Sequence, residues 1–173
     1  MEGDFRMKKV LPTQKQLLEM LRYDPESGFL YWLHRGDGPG LKYRTGMKAG
    51  HIRDDGYMHV GIWRRQHYVH RIIWCMQTGV WPELQIDHKN LNRADNRWSN
   101  LRLSTPSQNK ANIRSLNRLG IKGVAETRNG KFRAAIGVNR KCIQLGTFET
   151  KAEAKAAYEA AAKKHFGEFA RFE

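Results

Sequence analysis

Cysteine is scarce in this chain. Only Cys75 and Cys142 occur in 173 residues, far apart and outside any Cys-x-x-Cys pair or Cys/His array, which speaks against a structural zinc site of the usual kind. Two separated thiols suit a reducing cytoplasm. No apolar run approaches the length of a membrane span, and the stretch from Met1 to Val10 is charged rather than signal-like, so a soluble intracellular protein with no membrane partner is expected. Glycines at 36, 38, 40, 46 and 50 fall among Lys and Arg residues, but no Gly-Lys-Ser/Thr ending or helix start follows them. That excludes a nucleotide P-loop and leaves a basic loop beside DNA as the expectation. Internal repeats and low-complexity tracts are also absent.

Acidic residues are the next shortage: 17 Asp and Glu face 31 Lys and Arg, for a formal charge of +14 and a pI near 10.1. The excess is +6 over residues 1–105 and +8 over 106–173, so both halves are expected to face a polyanion, nucleic acid above all. A generally basic protein of the ribosomal kind fits the charge alone equally well. The length suits one ordinary domain or two small ones, and 40% hydrophobic residues suffice for modest cores.

Thr13 with Gln16 forms a capping box for a short helix whose apolar stripe is Leu17, Leu18, Met20 and Leu21. Asp24-Pro25-Glu26-Ser27-Gly28 predicts a turn, and Phe29 to Leu33 a strand. Residues 56–63 and 66–69 read as a hairpin with Arg64-Arg65 at its basic tip. His70 to Thr78 reads as a helix carrying Ile72, Ile73, Trp74 and Met76 inward, ended by Gly79 and Pro82. His51, His59, His67 and His70 read as structural or surface histidines rather than ligands.

Gln85 to His88 and Leu101 to Ser104 read as short strands joined by a polar loop that holds Asn90, Asn92, Arg93, Asp95, Asn96 and Arg97. Thr105-Pro106-Ser107-Gln108 then supplies a capping Thr, a proline at the first helical position and a Gln three residues after the cap. The order strand, loop, strand, helix gathers a carboxylate (Asp87), an imidazole (His88) and two amides (Asn100, Asn109), a set suited to metal-assisted phosphodiester cleavage. Neighbouring residues of a strand point to opposite faces, so Asp87 and His88 can serve one phosphate only at a strand end or irregularity.

These residues resemble the HNH nuclease family, whose fold is a two-stranded hairpin plus helix around one metal ion. The resemblance covers roughly residues 57–113 and includes His70-Arg71-Ile72-Ile73-Trp74 and Asn100-Leu101-Arg102-Leu103-Ser104-Thr105-Pro106, runs similar to the branch found in phages and mobile introns. It implies His88 as general base, Asn100 as its hydrogen-bonding holder, and Asp87 and Asn109 as oxygen ligands to Mg2+ or Mn2+. Asn112, one turn after Asn109, is the rival ligand. Asn stands where the family's final His usually does, which implies a weaker hold on zinc and nickel. Some members with this variant cut only one strand, so both nicking and double-strand cleavage stay open. A bacterial or phage-infected host is the implied setting.

Residues 114–120 read as a linker. Strands follow at 122–127, 131–138 and 141–147, with a turn at Asn129-Gly130, and Thr150 with Glu153 caps an Ala-rich helix running to about Phe166 and stopped by Gly167. Residues 121–172 resemble the AP-two/ERF-type DNA-binding domain, on the strength of Gly123-Val124, Gly130-Lys131-Phe132, Leu145-Gly146-Thr147-Phe148, Thr150 with 152–158, Ala160 to Ala162, and Gly167. That domain lays a three-stranded sheet in the major groove. Ala125, Thr127 and Gly137 stand where its arginines would be, and Asn129 and Gln144 replace its tryptophans, so its target sequence does not transfer. The candidates for DNA contact are Arg64, Arg65, Lys110, Arg114, Arg128, Lys131, Arg133, Arg140, Lys141 and Gln144.

The reading is an α+β chain: a β-rich nuclease portion at 1–113 with its metal-binding core at about 84–113, the linker, and a small three-stranded antiparallel sheet plus one helix at 121–173. The expected function is a homing-type DNA endonuclease acting as one copy on double-stranded DNA. The alternative is a catalytically inactive DNA-binding regulator.

Overall fold

The computed structural model describes residues 11–34, 44–114 and 117–172. The expectations for Met1 to Val10, for glycines 36, 38 and 40, and for the middle of the linker lie outside them. The chain is a mixture of short helices and small antiparallel sheets, and its packing divides it into two units. Unit 1 comprises residues 1–88 and 92–101, and unit 2 comprises 89–91 and 102–173. This packing division cuts the chain at a different place from the linker read in the sequence.

Unit 1 opens with α1 (Gln14–Met20), whose N-terminus carries the complete Thr13/Gln16 capping box. Leu21 leaves the helix with extended backbone and starts β1 (Leu21–Asp24), pairing with Trp32 of β2 (Phe29–Trp32). The sequence reading counted Leu21 in the helical stripe; it is buried as expected, but from a strand. The turn between β1 and β2 is held by Asp24, which accepts from Glu26 N and Ser27 Oγ. Gly28 has φ +75, and a Cβ there would lie 2.5 Å from Arg97 N, so only glycine allows the approach of this turn to residues 96–97.

Strand β3 (Lys48–Ala49) completes the first sheet, and β4 (His51–Ile52), β5 (Met58–Ile62) and β6 (Arg65–Tyr68) form the second. β3 and β4 arise in a segment read only as loop; two-residue strands carry too little periodicity to be seen in sequence. Helix α2 (Val69–Thr78) follows and stops at Gly79, which takes the left-handed conformation. Leu17, Leu21, Leu30, Met58, Val60, Val69, Ile72, Ile73 and Cys75 form the core, and Ile86 of β7 (Gln85–His88) and Leu101, the first residue of β8 (Leu101–Ser104), join it.

Unit 2 contains α3 (Pro106–Asn112), with the Thr105/Gln108 capping box and the proline at its first turn, as read. Its sheet runs β9 (Val124–Glu126), β10 (Phe132–Val138) and β11 (Lys141–Phe148) in the order β11-β10-β9, with a register shift between Ala134 and Ala135. Helix α4 (Lys151–Phe166) is capped by Thr150 and Glu153 and packs on that sheet through Ala154, Tyr158, Ala162 and Phe166. Gly123 lets Tyr158 close down, since a Cβ would collide with its ring and with the Ala135 carbonyl.

Candidate active site

His88 is the last residue of β7, the strand end that a shared role with Asp87 requires. Asp87 and His88 are 3% and 4% exposed, respectively. The loop after β7 is knitted from within. Asn92 Oδ1 accepts from Ala94 N, Asn100 Nδ2 donates to the Asp95 carbonyl at 2.8 Å, and the Arg97 guanidinium pairs with the Asp95 carboxylate. Tyr23 reaches in from β1: its hydroxyl donates to the Asn96 carbonyl and accepts from Trp98 N.

The organising residue of that loop is Asn96, fully buried at 0% exposure. Its Oδ1 lies 3.2 Å from His88 Nε2, while its Nδ2 donates to the Ala94 carbonyl. Because the amide's donor end is committed to Ala94, its oxygen end faces the imidazole. His88 then carries its proton on Nε2, which makes Nδ1 the basic nitrogen. The sequence reading placed Asn96 among loop residues and gave it no role. Nothing in composition distinguishes it from Asn90 or Asn92, and only its burial singles it out.

Aromatic rings surround the same imidazole. His70 meets His88 edge-on with ring centroids 5.2 Å apart, and Tyr57 lies tilted at 5.8 Å. Tyr57 is itself covered by the Arg93 guanidinium at 4.9 Å, and Arg93 Nη1 donates to the Asp55 carbonyl. Burial pushes the His88 pKa down, against the opposing pull of the Asn96 hydrogen bond and the Asp87 and Asp95 charges. A neutral imidazole at pH 7 is the form that can accept a proton. His70 is lowered to about 3, by burial first and then by the neighbouring His88 and Arg71. His59, also buried, faces the Asp55 carboxylate at 3.2 Å, whereas His67 is half-buried and His51 exposed.

In unit 2, Asn109 is half-buried, and its backbone N–H donates to the Thr105 carbonyl in the first turn of α3. Asn112 is buried, with its Oδ1 engaged by Arg171 Nε at 3.3 Å. Lys110 and Arg114 are exposed. Arg133 lies on β10 opposite Ala125 and Thr147, and Gln144 lies opposite Ala135, so both belong to the outward-facing rows of the sheet. Lys141 is exposed at the start of β11, and Arg128 is exposed at the turn before β10. Lys131 is exposed but ion-paired with Glu149 at 2.5 Å. Arg140 sits at a hairpin tip with φ +67, and in unit 1 Arg64 occupies an equivalent tip with φ +63, beside exposed Arg65.

The HNH endonuclease family model matches residues 67–111. An uncharacterized HNH endonuclease of Acanthamoeba polyphaga mimivirus is 30% identical over 105 residues, covering 59% of this chain and 54% of that protein. A solved structure of DNA binding and cleavage by the HNH homing endonuclease I-HmuI is 25% identical, covering 54% of this chain and 51% of that one, with a TM-score of 0.39. The chain thus spans about half the length of the relatives it matches. The segment that matches the HNH endonuclease model, residues 67–111, contains His70, Asp87, His88, Asn96, Asn100 and Asn109.

Proposed function

We propose that the chain is a metal-dependent HNH DNA endonuclease of the homing type, which hydrolyses phosphodiester bonds and is directed to DNA by the sheet of unit 2. The observation that carries the reading is the His88–Asn96 pair: a buried, neutral imidazole with one nitrogen tied down and the other basic. His88 Nδ1 takes the proton from the attacking water as its oxygen bonds to phosphorus and the bridging oxygen leaves. Asn96 holds the ring, and Asn100 braces the loop through Asp95.

The donor set fits a hard divalent cation. Among the described residues no three His, Cys, Asp or Glu side chains cluster, so the donors on offer are one carboxylate and amide oxygens, which favour Mg2+ or Mn2+ over zinc. Asp87 and Asn109 would hold it, by their places in the family pattern. Asn112, the rival ligand, is buried and its Oδ1 accepts from Arg171 Nε at 3.3 Å. When bound, the ion would stabilise charge on the phosphate and the leaving oxygen.

The DNA face comprises Arg133 and Gln144 on the sheet, with Arg128, Lys131, Arg140 and Lys141 around it, and Arg64, Arg65, Lys110 and Arg114 elsewhere on the chain. An AP-two/ERF-like placement of that sheet in a groove of double-stranded DNA and one copy of the chain per site are parts of the same proposal, with nicking and double-strand cleavage distinguished by the product. A plasmid assay with Mg2+ or Mn2+, with and without chelator, tests it. Wild-type protein should convert supercoiled DNA to nicked or linear form, and His88→Ala should lose roughly 10²–10⁴ of the rate. If both leave the plasmid intact across candidate targets while still binding it, the inactive DNA-binding regulator replaces the enzyme.

A further inference from the structure

We propose that Trp63, at the tip of the β5–β6 hairpin of unit 1, inserts its indole between neighbouring base pairs of double-stranded DNA, with Arg64 and Arg65 on the flanking phosphates. The proposal rests on the DNA-cleaving reading above and adds a contact to it.

β5 and β6 pair with Ile62 opposite Arg65, so the connection consists of Trp63 and Arg64 alone. Their φ values are +50 and +63. A two-residue turn with positive φ at both positions prefers Asn-Gly or Asp-Gly, which meet little steric resistance there. The β10–β11 hairpin of unit 2 has the same form, with Val138 opposite Lys141 and φ +47 and +67 at Asn139 and Arg140. Its first position holds an asparagine, as turn chemistry asks. At the β5–β6 tip that position holds a tryptophan, a bulky side chain that left-handed backbone disfavours. The tip has little room to drift, because Met58, Val60 and Ile62 of β5 are all buried in the core of unit 1. Backbone strain in an ordered turn clusters at positions that meet a ligand.

Trp63 is 50% exposed, the most exposed aromatic among the described residues. The other four tryptophans have roles within unit 1. Trp32 lies in the core, Trp81 Nε1 donates to the Pro12 carbonyl at 2.8 Å, and Trp74 and Trp98 face each other with ring centroids 4.9 Å apart. An exposed ring alone names no partner. Here Arg64 and Arg65 follow directly and are exposed as well, on a chain of formal charge +14. A ring beside cations complements base faces set between phosphates. A two-stranded ribbon is narrow enough to enter a DNA groove, and large apolar side chains that do so open a base step.

The test uses the full chain with a chelator present, so that DNA is bound and not cut. Trp63→Asn places a turn-compatible residue at the tip, and its thermal melting should match or exceed that of wild type. Its affinity for a mixed-sequence duplex should fall about tenfold with the slope of log K against log salt unchanged, because stacking releases no counterions. Trp63→Phe keeps a ring and should recover most of that loss, whereas Arg64→Gln should flatten the slope by about one. Bound wild-type protein should also unwind a closed circular plasmid relaxed by a metal-independent topoisomerase, and Trp63→Asn should unwind it less at equal occupancy. A lower melting temperature in Trp63→Asn would assign the indole to packing and overturn the insertion. Wild-type affinity, a flatter salt slope or undiminished unwinding in that variant would overturn it too, while the DNA reading stands. A wild-type protein whose binding shows no salt dependence would sink the DNA reading, and the insertion with it.

Discussion

Helix α2 of unit 1 buries six of its ten residues, among them Ile72, Ile73, Met76 and the imidazole of His70, whereas α4 of unit 2 buries four of sixteen, two of them alanines. Around α2 the core is built from large aliphatic side chains, and it closes over polar groups: His59, His70, Asp87, His88, Asn96 and Asn100 are all buried there. Around α4 small residues bring helix and sheet together, and the outer rows of β10 and β11 are left exposed with Arg133, Lys141 and Gln144 on them. Desolvating an imidazole lowers its pKa and fixes its hydrogen bonds, whereas cations that bind phosphate work from water-facing positions. Under the proposed function unit 1 carries the chemistry and unit 2 the contact with a polyanion, and substitutions should separate the two.

Removing Asn96 should have the largest effect on that contrast. Asn96→Ala takes the hydrogen bond from His88 Nε2 and loosens the hold on the ring, so the plasmid cleavage rate should fall by roughly 10²-fold. Oligonucleotide affinity, which the proposed function assigns to unit 2, should stay within about twofold. If cleavage is unaffected, the His88–Asn96 pair is not what orients the base. Next is Ile72→Ala, in the fully buried core of unit 1. It should cost about 2–5 kcal/mol in chemical denaturation, and a change confined to the melting of unit 2 would contradict the separate cores.

An acid titration sharpens the comparison further. The folded His70 pKa, about 3, lies below the ordinary value near 6.5. Between those values the unfolded chain binds a proton that the folded chain refuses, so falling pH favours unfolding. The stability contributed by neutral His70 is fully present above about pH 6.5 and is lost progressively as the pH drops toward 3. Stability curves from pH 7 to 4 should therefore be shallower in His70→Phe than in wild type, and parallel curves would show that His70 is not a source of acid sensitivity. The smallest expected effect belongs to Arg133→Gln, which should flatten the salt slope of DNA binding by about one with no shift in melting. An unaltered slope would remove Arg133 from the DNA face.

Much of the secondary structure was legible because its signals are local. The Thr13, Thr105 and Thr150 capping boxes all form as read, since each needs only a side chain and a backbone amide three residues apart. The turn glycine at 79 works in the same way. Leu21 was misplaced because apolar periodicity cannot tell the last turn of a helix from the first residue of a strand when the strand is chosen by a partner, here Trp32. β3 and β4 exist through pairing with β2 and β5 and have no signal of their own.

The candidate site divides along the same line. Residue types and their order along the chain single out Asp87, His88, Asn100 and Asn109 as a carboxylate, a base and two amides in sequence-near elements, and all four lie in the segment that matches the HNH endonuclease model. Only folding brings Asn96 to His88, since nothing in its residue type sets it apart from the other asparagines of the loop until it is buried with its Oδ1 3.2 Å from the imidazole Nε2. It also brought Arg171 onto the Lys89 carbonyl, 82 positions away in the chain. No local pattern encodes a contact of that separation; it exists because closing residues 167–172 over α3 buries Phe169 and places the guanidinium on carbonyls that need a donor.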